Sequence, residues 1–102
     1  MGKKILAITM GYTIPKEDLA NAFLERAPIW ANIEGLDWKI WIHSDEDKKA
    51  GGIYLFDSEE SLKKYQAGEI YAGLFTNPAV TDVTIKTYDV LPEHTKITKG
   101  PI

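Results

Sequence analysis

The 102-residue chain contains no cysteine and only two histidines, His43 and His94. The absence of cysteine excludes disulfide bonds, thiolate nucleophiles and sulfur metal ligands, and it fits a reducing compartment. We therefore expect a cytoplasmic protein. Because the two histidines lie far apart in the sequence, a metal site built within one chain has little support, and we expect none.

Positive charge and long apolar segments are also scarce. The chain has 12 Lys and Arg residues and 15 Asp and Glu residues, so its net charge is -3, and no basic run exceeds two residues. A chain without a basic patch is not expected to bind nucleic acid. No segment approaches the ~20 apolar residues of a membrane span, and the opening MGKKILAITMG is typical of a first strand and not of a signal peptide. We expect a soluble protein with no membrane partner.

The length of the chain and its 44% hydrophobic residues are typical of one globular domain, which we expect over residues 1–102. Alternating or continuous apolar runs bounded by turn residues predict four strands, at residues 3–11, 36–44, 50–57 and 80–90. Helical patterns follow the first and third strands. The order βαββαβ predicts a ferredoxin-like α+β fold, a four-stranded antiparallel sheet with two helices on one face.

Local signals refine the helices. A stripe of apolar residues from Leu19 to Trp30 predicts the first helix, and Pro28 predicts a kink or break near Ala27. Asp57 and Glu60 have the spacing of a capping box at the start of the second helix, which Gly68 is expected to interrupt. Prolines in residues 91–102 argue against a regular element, so this segment is either a mobile tail or a strap along a partner subunit that carries His94 to the neighbour's barrel mouth.

The segment WKIWIH at 38–43 raises the question of which sheet face meets the helices, because successive strand residues point to opposite faces. The uniformly apolar set is expected on the helix side: Ile40, Ile42, Ile53, Leu55, Val83 and Ile85. The mixed aromatic and polar set is expected on the open side: Lys39, Trp41, His43, Tyr54, Phe56, Thr84, Lys86 and Tyr88. Because an exposed aromatic face favours association, we expect two sheets to pack face to face in a homodimer.

Three motifs, GLDWKIW, AGGIYLF and TYDV, occur in this order at spacings that resemble the YdhR-type putative mono-oxygenases of the dimeric α/β-barrel superfamily. The similarity is densest from Gly35 to Leu62 and extends over most of the chain. It implies a ferredoxin-like subunit whose sheet closes into a barrel across a dimer. It further implies oxidation of a small aromatic or quinone-forming substrate by dioxygen, without metal, flavin or other cofactor.

Such chemistry needs an aromatic pocket and a group that favours a substrate anion. We assign His43 as the candidate base and Lys39 as its electrostatic partner. The candidate substrate-binding residues are Trp41, Tyr54, Phe56, Lys86 and Tyr88. Each has a structural alternative: the aromatic residues could fill the core or the dimer interface, the lysines could form ion pairs, and His43 could be a solvated turn residue. For the whole protein, the alternatives are a non-catalytic dimer that binds a small hydrophobic ligand and a purely structural dimer.

Overall fold

The computed structural model describes residues 2–102, which form one antiparallel sheet with helices against it. The elements are β1 (Lys4–Tyr12), α1 (Lys16–Ala31), β2 (Leu36–Ser44), β3 (Lys49–Phe56), α2 (Glu59–Gln66), α3 (Glu69–Thr76), β4 (Val80–Asp89) and α4 (Pro92–Ile97). The strand order is β2-β3-β1-β4, with every neighbouring pair antiparallel. The ferredoxin-like α+β fold is therefore confirmed. No helix within residues 2–102 is long and apolar enough to cross a membrane.

The central strands β1 and β3 pair in unbroken register, with Leu6 opposite Tyr54 and Ile8 opposite Gly52. A Cβ at Gly51 would lie 1.8 Å from the backbone oxygen of Ile8, so only glycine permits this close approach. The register shifts lie elsewhere, between Thr9 and Gly11 in β1 against β4, and between Leu36 and Trp38 in β2. Such bulges are common at sheet edges.

The hydrophobic core lies between the sheet and the helices. Leu6, Ile8, Tyr54 and Phe56 from the sheet pack with two residues of α2, Leu62 and Tyr65, and all six are at most 7% exposed. Half-buried residues from α1, α3 and β4 surround this cluster: Trp30, Ile70, Tyr71, Leu74, Val83 and Ile85. Burial of large aromatic and aliphatic side chains is the main contribution to holding helices on a sheet.

This core corrects the predicted sheet faces of β2 and β3. Tyr54 and Phe56 are buried against α2, and Trp41 contacts Phe23 and Trp30 of α1, so the aromatic set lies on the helix side. The aliphatic set, Ile40, Ile42, Ile53 and Leu55, lies on the opposite face. The prediction was wrong because it placed the more uniformly apolar set inside, whereas the rings of Tyr54 and Phe56 pack against α2 and that of Trp41 packs against α1. For β4 the prediction holds, with Val83 and Ile85 against the core.

The helix boundaries follow local chemistry with two corrections. Helix α1 runs through Pro28 to Ala31, so it does not break near Ala27. Helix α2 is capped by Ser58, whose Oγ accepts from the Ser61 backbone N–H at 3.1 Å, and not by Asp57 in a capping box. Asp57 instead accepts from the Ser58 hydroxyl. The predicted interruption at Gly68 is confirmed, because Gly68 separates α2 from α3.

The C-terminal segment contains a regular element, contrary to expectation. Pro92 occupies the first turn of α4, where its missing N–H costs no helical hydrogen bond. The segment then returns to the open sheet face, where the Trp38 indole N–H donates to the Pro101 carbonyl at 2.7 Å. A hollow of about 530 Å³ lies here, bordered by Ile5, Trp38 and the segment's own residues, His94 among them.

Candidate functional site

A cavity of about 120 Å³ lies between the helices and the sheet. Its wall is largely apolar and comes from the sheet and from α1, α2 and α3, with Ile8, Leu19, Phe23, Trp41, Tyr54 and Leu74 among its residues. The exposed Arg26 and Asn77 also border it, so the cavity reaches the protein surface. An apolar cavity of about 150 Å³ binds benzene, so this slightly smaller cavity is at the lower size limit for one aromatic ring.

The most unusual group in the cavity is the Lys39 amine. Lys39 projects from β2 on the helix side, and its Nζ lies 3.3 Å from the Trp41 ring centroid, 4.0 Å from that of Trp30 and 4.6 Å from that of Tyr54. Trp41 comes from the same strand, Tyr54 lies directly across in β3, and Trp30 approaches from α1. We call these three rings the aromatic cage.

Lys39 has no acidic partner and no hydrogen-bond acceptor among the residues that the structure describes, 2–102. Burial lowers the pKa of its amine to about 7, and the nearby positive charge of Arg26 acts in the same direction. The amine is consequently neutral in a large fraction of molecules near neutral pH. A neutral lysine can accept a proton or attack an electrophile, which an ammonium cannot.

Gly52 provides the space for the Lys39 side chain. It lies opposite Trp41 in the β2–β3 pairing, and a Cβ there would come 2.6 Å from the Lys39 Cε and 3.1 Å from the Tyr54 ring. An alanine at this position would therefore displace the Lys39 amine from the aromatic cage, although the amine itself would still be present.

Two tyrosines complete the inner wall. The Trp30 indole N–H donates to the Tyr65 hydroxyl at 3.2 Å, and the Tyr65 and Tyr54 rings lie 5.6 Å apart. Burial raises the pKa of both hydroxyls. Both phenols therefore stay protonated at neutral pH and are available as hydrogen-bond donors, but not as bases.

His43 lies apart from the cavity, at the exposed end of β2. Its Nε2 is 3.3 Å from the Tyr12 hydroxyl and 3.2 Å from an Asp45 carboxylate oxygen, and the other Asp45 oxygen accepts from Lys16 Nζ at 2.8 Å. The hydrogen bond from Lys16 is the largest cause of the lowered pKa of Asp45. His43 does not border the cavity that Lys39 lines, so the structure does not bring the two candidate catalytic residues together.

The five candidate substrate-binding residues divide into three locations. Trp41 and Tyr54 line the cavity. Phe56 lies behind Tyr54, with nearly parallel rings 6.1 Å apart, and is fully buried without bordering the cavity. Lys86 and Tyr88 project from β4 on the opposite sheet face, where both are exposed. Only Lys39, Trp41 and Tyr54 of the predicted site therefore share one space.

The sequence reasoning did not identify the helix residues of the site. Trp30 and Phe23 were recognised only as part of the apolar helical stripe from Leu19 to Trp30. Arg26, which lies 5.8 Å from the Trp30 ring centroid, gave no signal at all. A pattern of helical spacing identifies a buried stripe, but it does not distinguish a stripe that fills a core from one that borders a cavity.

Comparison with sequence families gives one match. The model of the family described as "Putative mono-oxygenase ydhR" matches residues 5–101, nearly the whole chain. No curated protein matches this chain in sequence.

Comparison with solved structures gives related folds at low sequence identity. A protein of unknown function from Nitrosomonas europaea, NE2512, has a TM-score of 0.74 at 18% identity, covering 89% of this chain and 91% of the other. A putative antibiotic biosynthesis monooxygenase from Caulobacter crescentus has a TM-score of 0.71 at 21% identity, with coverage of 88% and 91%. A mutant form of SnoaB, a cofactor-independent oxygenase from Streptomyces nogalater, has a TM-score of 0.72 at 9% identity, with coverage of 89% and 95%. At these identities the likeness shows a shared fold.

Proposed function

Because the chain belongs to the ydhR family of putative mono-oxygenases, we propose that it is a cofactor-independent mono-oxygenase that acts on a small aromatic or quinone-forming substrate. The observation that carries this proposal is the Lys39 amine in its aromatic cage, on the wall of a cavity between helices and sheet. A fold resembling that of SnoaB, a cofactor-independent oxygenase, adds support by analogy.

Lys39 acts as the base in this proposal. A phenol or hydroquinone ring lies in the cavity, and its hydroxyl proton passes to the neutral Lys39 amine. The resulting ammonium then stays beside the phenolate and stabilises its charge in a site shielded from bulk water. Trp41 and Tyr54 hold the ring by aromatic contact. His43, the base expected from the sequence, has no role here because it lies away from the cavity.

The substrate supplies the electrons for oxygen reduction. The electron-rich phenolate passes one electron to dioxygen, and the two radicals combine at a ring carbon to form a peroxide. Loss of water from this peroxide leaves a quinone that retains one oxygen atom from dioxygen, while the other oxygen leaves as water. A hydroquinone thus becomes a hydroxyquinone without any external reductant.

Oxygen uptake with single-ring hydroquinones tests the activity. We expect Lys39→Met to abolish uptake and Lys63→Met, a matched change at an exposed lysine of α2, to leave it unchanged. With labelled dioxygen, the product should carry one labelled atom. Because the base must be neutral, the wild-type rate should rise with pH through a midpoint of about 7. Equal rates for wild type and Lys39→Met would refute the role of Lys39.

We also propose that the protein is a homodimer formed through the open sheet face, and that it is cytoplasmic. The support for the dimer is the exposure of large side chains on that face, with Ile40 and Tyr88 each 51% exposed. Ile40→Glu should lower the molar mass in sedimentation from dimer to monomer, whereas Glu25→Gln on the exposed side of α1 should not. A wild-type monomer at micromolar concentration would refute the dimer.

Ligand binding without catalysis is the second candidate function. The apolar cavity wall favours it, because apolar pockets bind single rings by burial alone. It predicts saturable quenching of tryptophan fluorescence by phenols with no oxygen uptake. A purely structural dimer predicts no saturable binding of phenols. The 120 Å³ cavity is smaller than the ~300 Å³ of typical ligand sites, so the binding measurement decides between these two alternatives.

A further inference from the structure

The Lys39 amine combines three properties that rarely occur together in a protein. Its side chain lines a cavity that reaches the surface, its Nζ has no carboxylate partner within residues 2–102, and three aromatic rings surround that atom. The charged or titratable groups that share the cavity wall are Arg26, Tyr54 and Tyr65, none of which is acidic at neutral pH. A lysine that served only to hold the fold would be expected to have an ion-pair partner or to reach solvent.

We propose that Lys39 is a carbonyl-binding residue, and that its amine condenses with a small aromatic aldehyde or ketone held in the aromatic cage to form a reversible Schiff base. Desolvated lysines next to another cation are the usual amines for this chemistry, and Arg26 supplies that cation. This inference does not depend on the proposed mono-oxygenase activity, since it needs neither dioxygen nor a phenol.

The condensation balances without any further reactant. The nitrogen lone pair forms a bond to the carbonyl carbon, and the carbonyl oxygen takes up a proton to give a carbinolamine. The carbon–oxygen bond then breaks, and the oxygen leaves as water with the two hydrogens that the amine has lost. No atom is oxidised or reduced. The apolar wall favours the uncharged imine and the departure of water.

Two hollows share residues of the aromatic cage. Trp30, Lys39 and Trp41 border the main cavity and also a second hollow of about 330 Å³ at the edge of β2. In the proposed complex the aromatic ring lies in one of these hollows, and its carbonyl carbon approaches Nζ from there.

The test uses benzaldehyde as the probe and cyanoborohydride to trap the imine, in the absence of oxygen, at about pH 7. Peptide mapping should show that Lys39 is the lysine that carries the benzyl group. Lys39 should be labelled at least roughly ten times faster than any other lysine. An ordinary lysine, with a pKa near 10.5, is almost fully protonated at this pH and therefore reacts slowly.

Three variants make the test specific. Lys39→Met should label only at the slow rate of surface lysines. Lys63→Met, at an exposed lysine of α2, should label Lys39 as wild type does. Gly52→Ala keeps Lys39 but displaces its Cε, so labelling of Lys39 should fall several-fold while circular dichroism verifies the fold. Uniform labelling of all lysines, or unchanged labelling in Gly52→Ala with the fold intact, would overturn the proposal.

The outcomes also separate this proposal from the proposed function. Selective labelling of Lys39 without oxygen uptake on phenols would support the carbonyl site and refute the mono-oxygenase. Oxygen uptake that depends on Lys39, without selective labelling, would refute the carbonyl site alone.

Discussion

Replacing Lys39 by methionine should make the protein more stable, and more so at low pH than at high pH. Methionine keeps most of the length of the side chain and removes the amine. In wild type, the pKa of Lys39 is about 7 when folded and near 10.5 when unfolded. The unfolded chain therefore binds one more proton than the folded chain between these two values. Wild-type stability consequently rises with pH through that window, and the burial penalty is fully present below about pH 7.

The magnitude follows from the two pKa values. One pKa unit corresponds to about 1.4 kcal/mol, so the full penalty is about 5 kcal/mol. Between about pH 6 and pH 9, linkage predicts that wild type gains about 2.5 kcal/mol from this group. The stability advantage of Lys39→Met should shrink by the same amount over that range. Other titrating groups are common to both proteins and cancel in the difference.

Urea unfolding followed by tryptophan fluorescence measures both proteins at each pH. The free energy of unfolding of Lys39→Met minus that of wild type should fall by about 2.5 kcal/mol from about pH 6 to pH 9. The same difference for Lys63→Met, at an exposed lysine of α2, should be flat. Cation–π attraction to the cage favours the ammonium by ~0.5–2 kcal/mol per ring. If that attraction outweighs desolvation, the Lys39→Met difference will also be flat, and our reasoning about the neutral amine is refuted.

Three further predictions concern the fold. Phe56→Ala, at a fully buried ring, should lower the free energy of unfolding by about 3–5 kcal/mol in urea titrations, and a loss below about 1 kcal/mol would contradict the core assignment. Gly51→Ala places a methyl carbon 1.8 Å from the Ile8 backbone oxygen and should destabilise by about 3 kcal/mol or more; a wild-type melting temperature would contradict it. Trp38→Phe removes the hydrogen bond to Pro101, so amide exchange in the C-terminal segment should accelerate about five-fold, and unchanged exchange would show that this bond does not hold the segment.

The sequence alone was sufficient for the order of elements and most of their boundaries. The predicted strand at 36–44 agrees with β2 to the residue, and Gly68 interrupts the helices as expected. These features depend on local chemistry. Alternation of apolar and polar residues, turn residues and helix breakers each determine the structure of only a few neighbouring residues. The errors in element boundaries were also local. Asp57 and Ser58 are neighbours that could each cap α2, and the cap is Ser58 and not Asp57 as predicted.

The candidate site shows what local reasoning misses. Lys39 and Trp41 were identified because the pattern WKIWIH is unusual in a strand. Their partner Trp30 comes from α1, and its position over the amine depends on how α1 crosses the sheet. His43 shares the parity of Lys39 and Trp41, and yet it lies beyond the cavity, beside Tyr12 and Asp45.

Alternation along β2 and β3 therefore determined which side chains share a face, since successive residues of a strand must point to opposite sides. It could not determine which face meets the helices, because both sets are apolar enough to be buried and exchanging the faces preserves the pattern. Only the tertiary packing decided this, by placing Trp41 against α1 and Tyr54 and Phe56 against α2. The same packing brought Trp30, Trp41 and Tyr54 around the Lys39 amine and removed it from water. Its lowered pKa is thus a property of the folded protein that no segment of the sequence carries by itself.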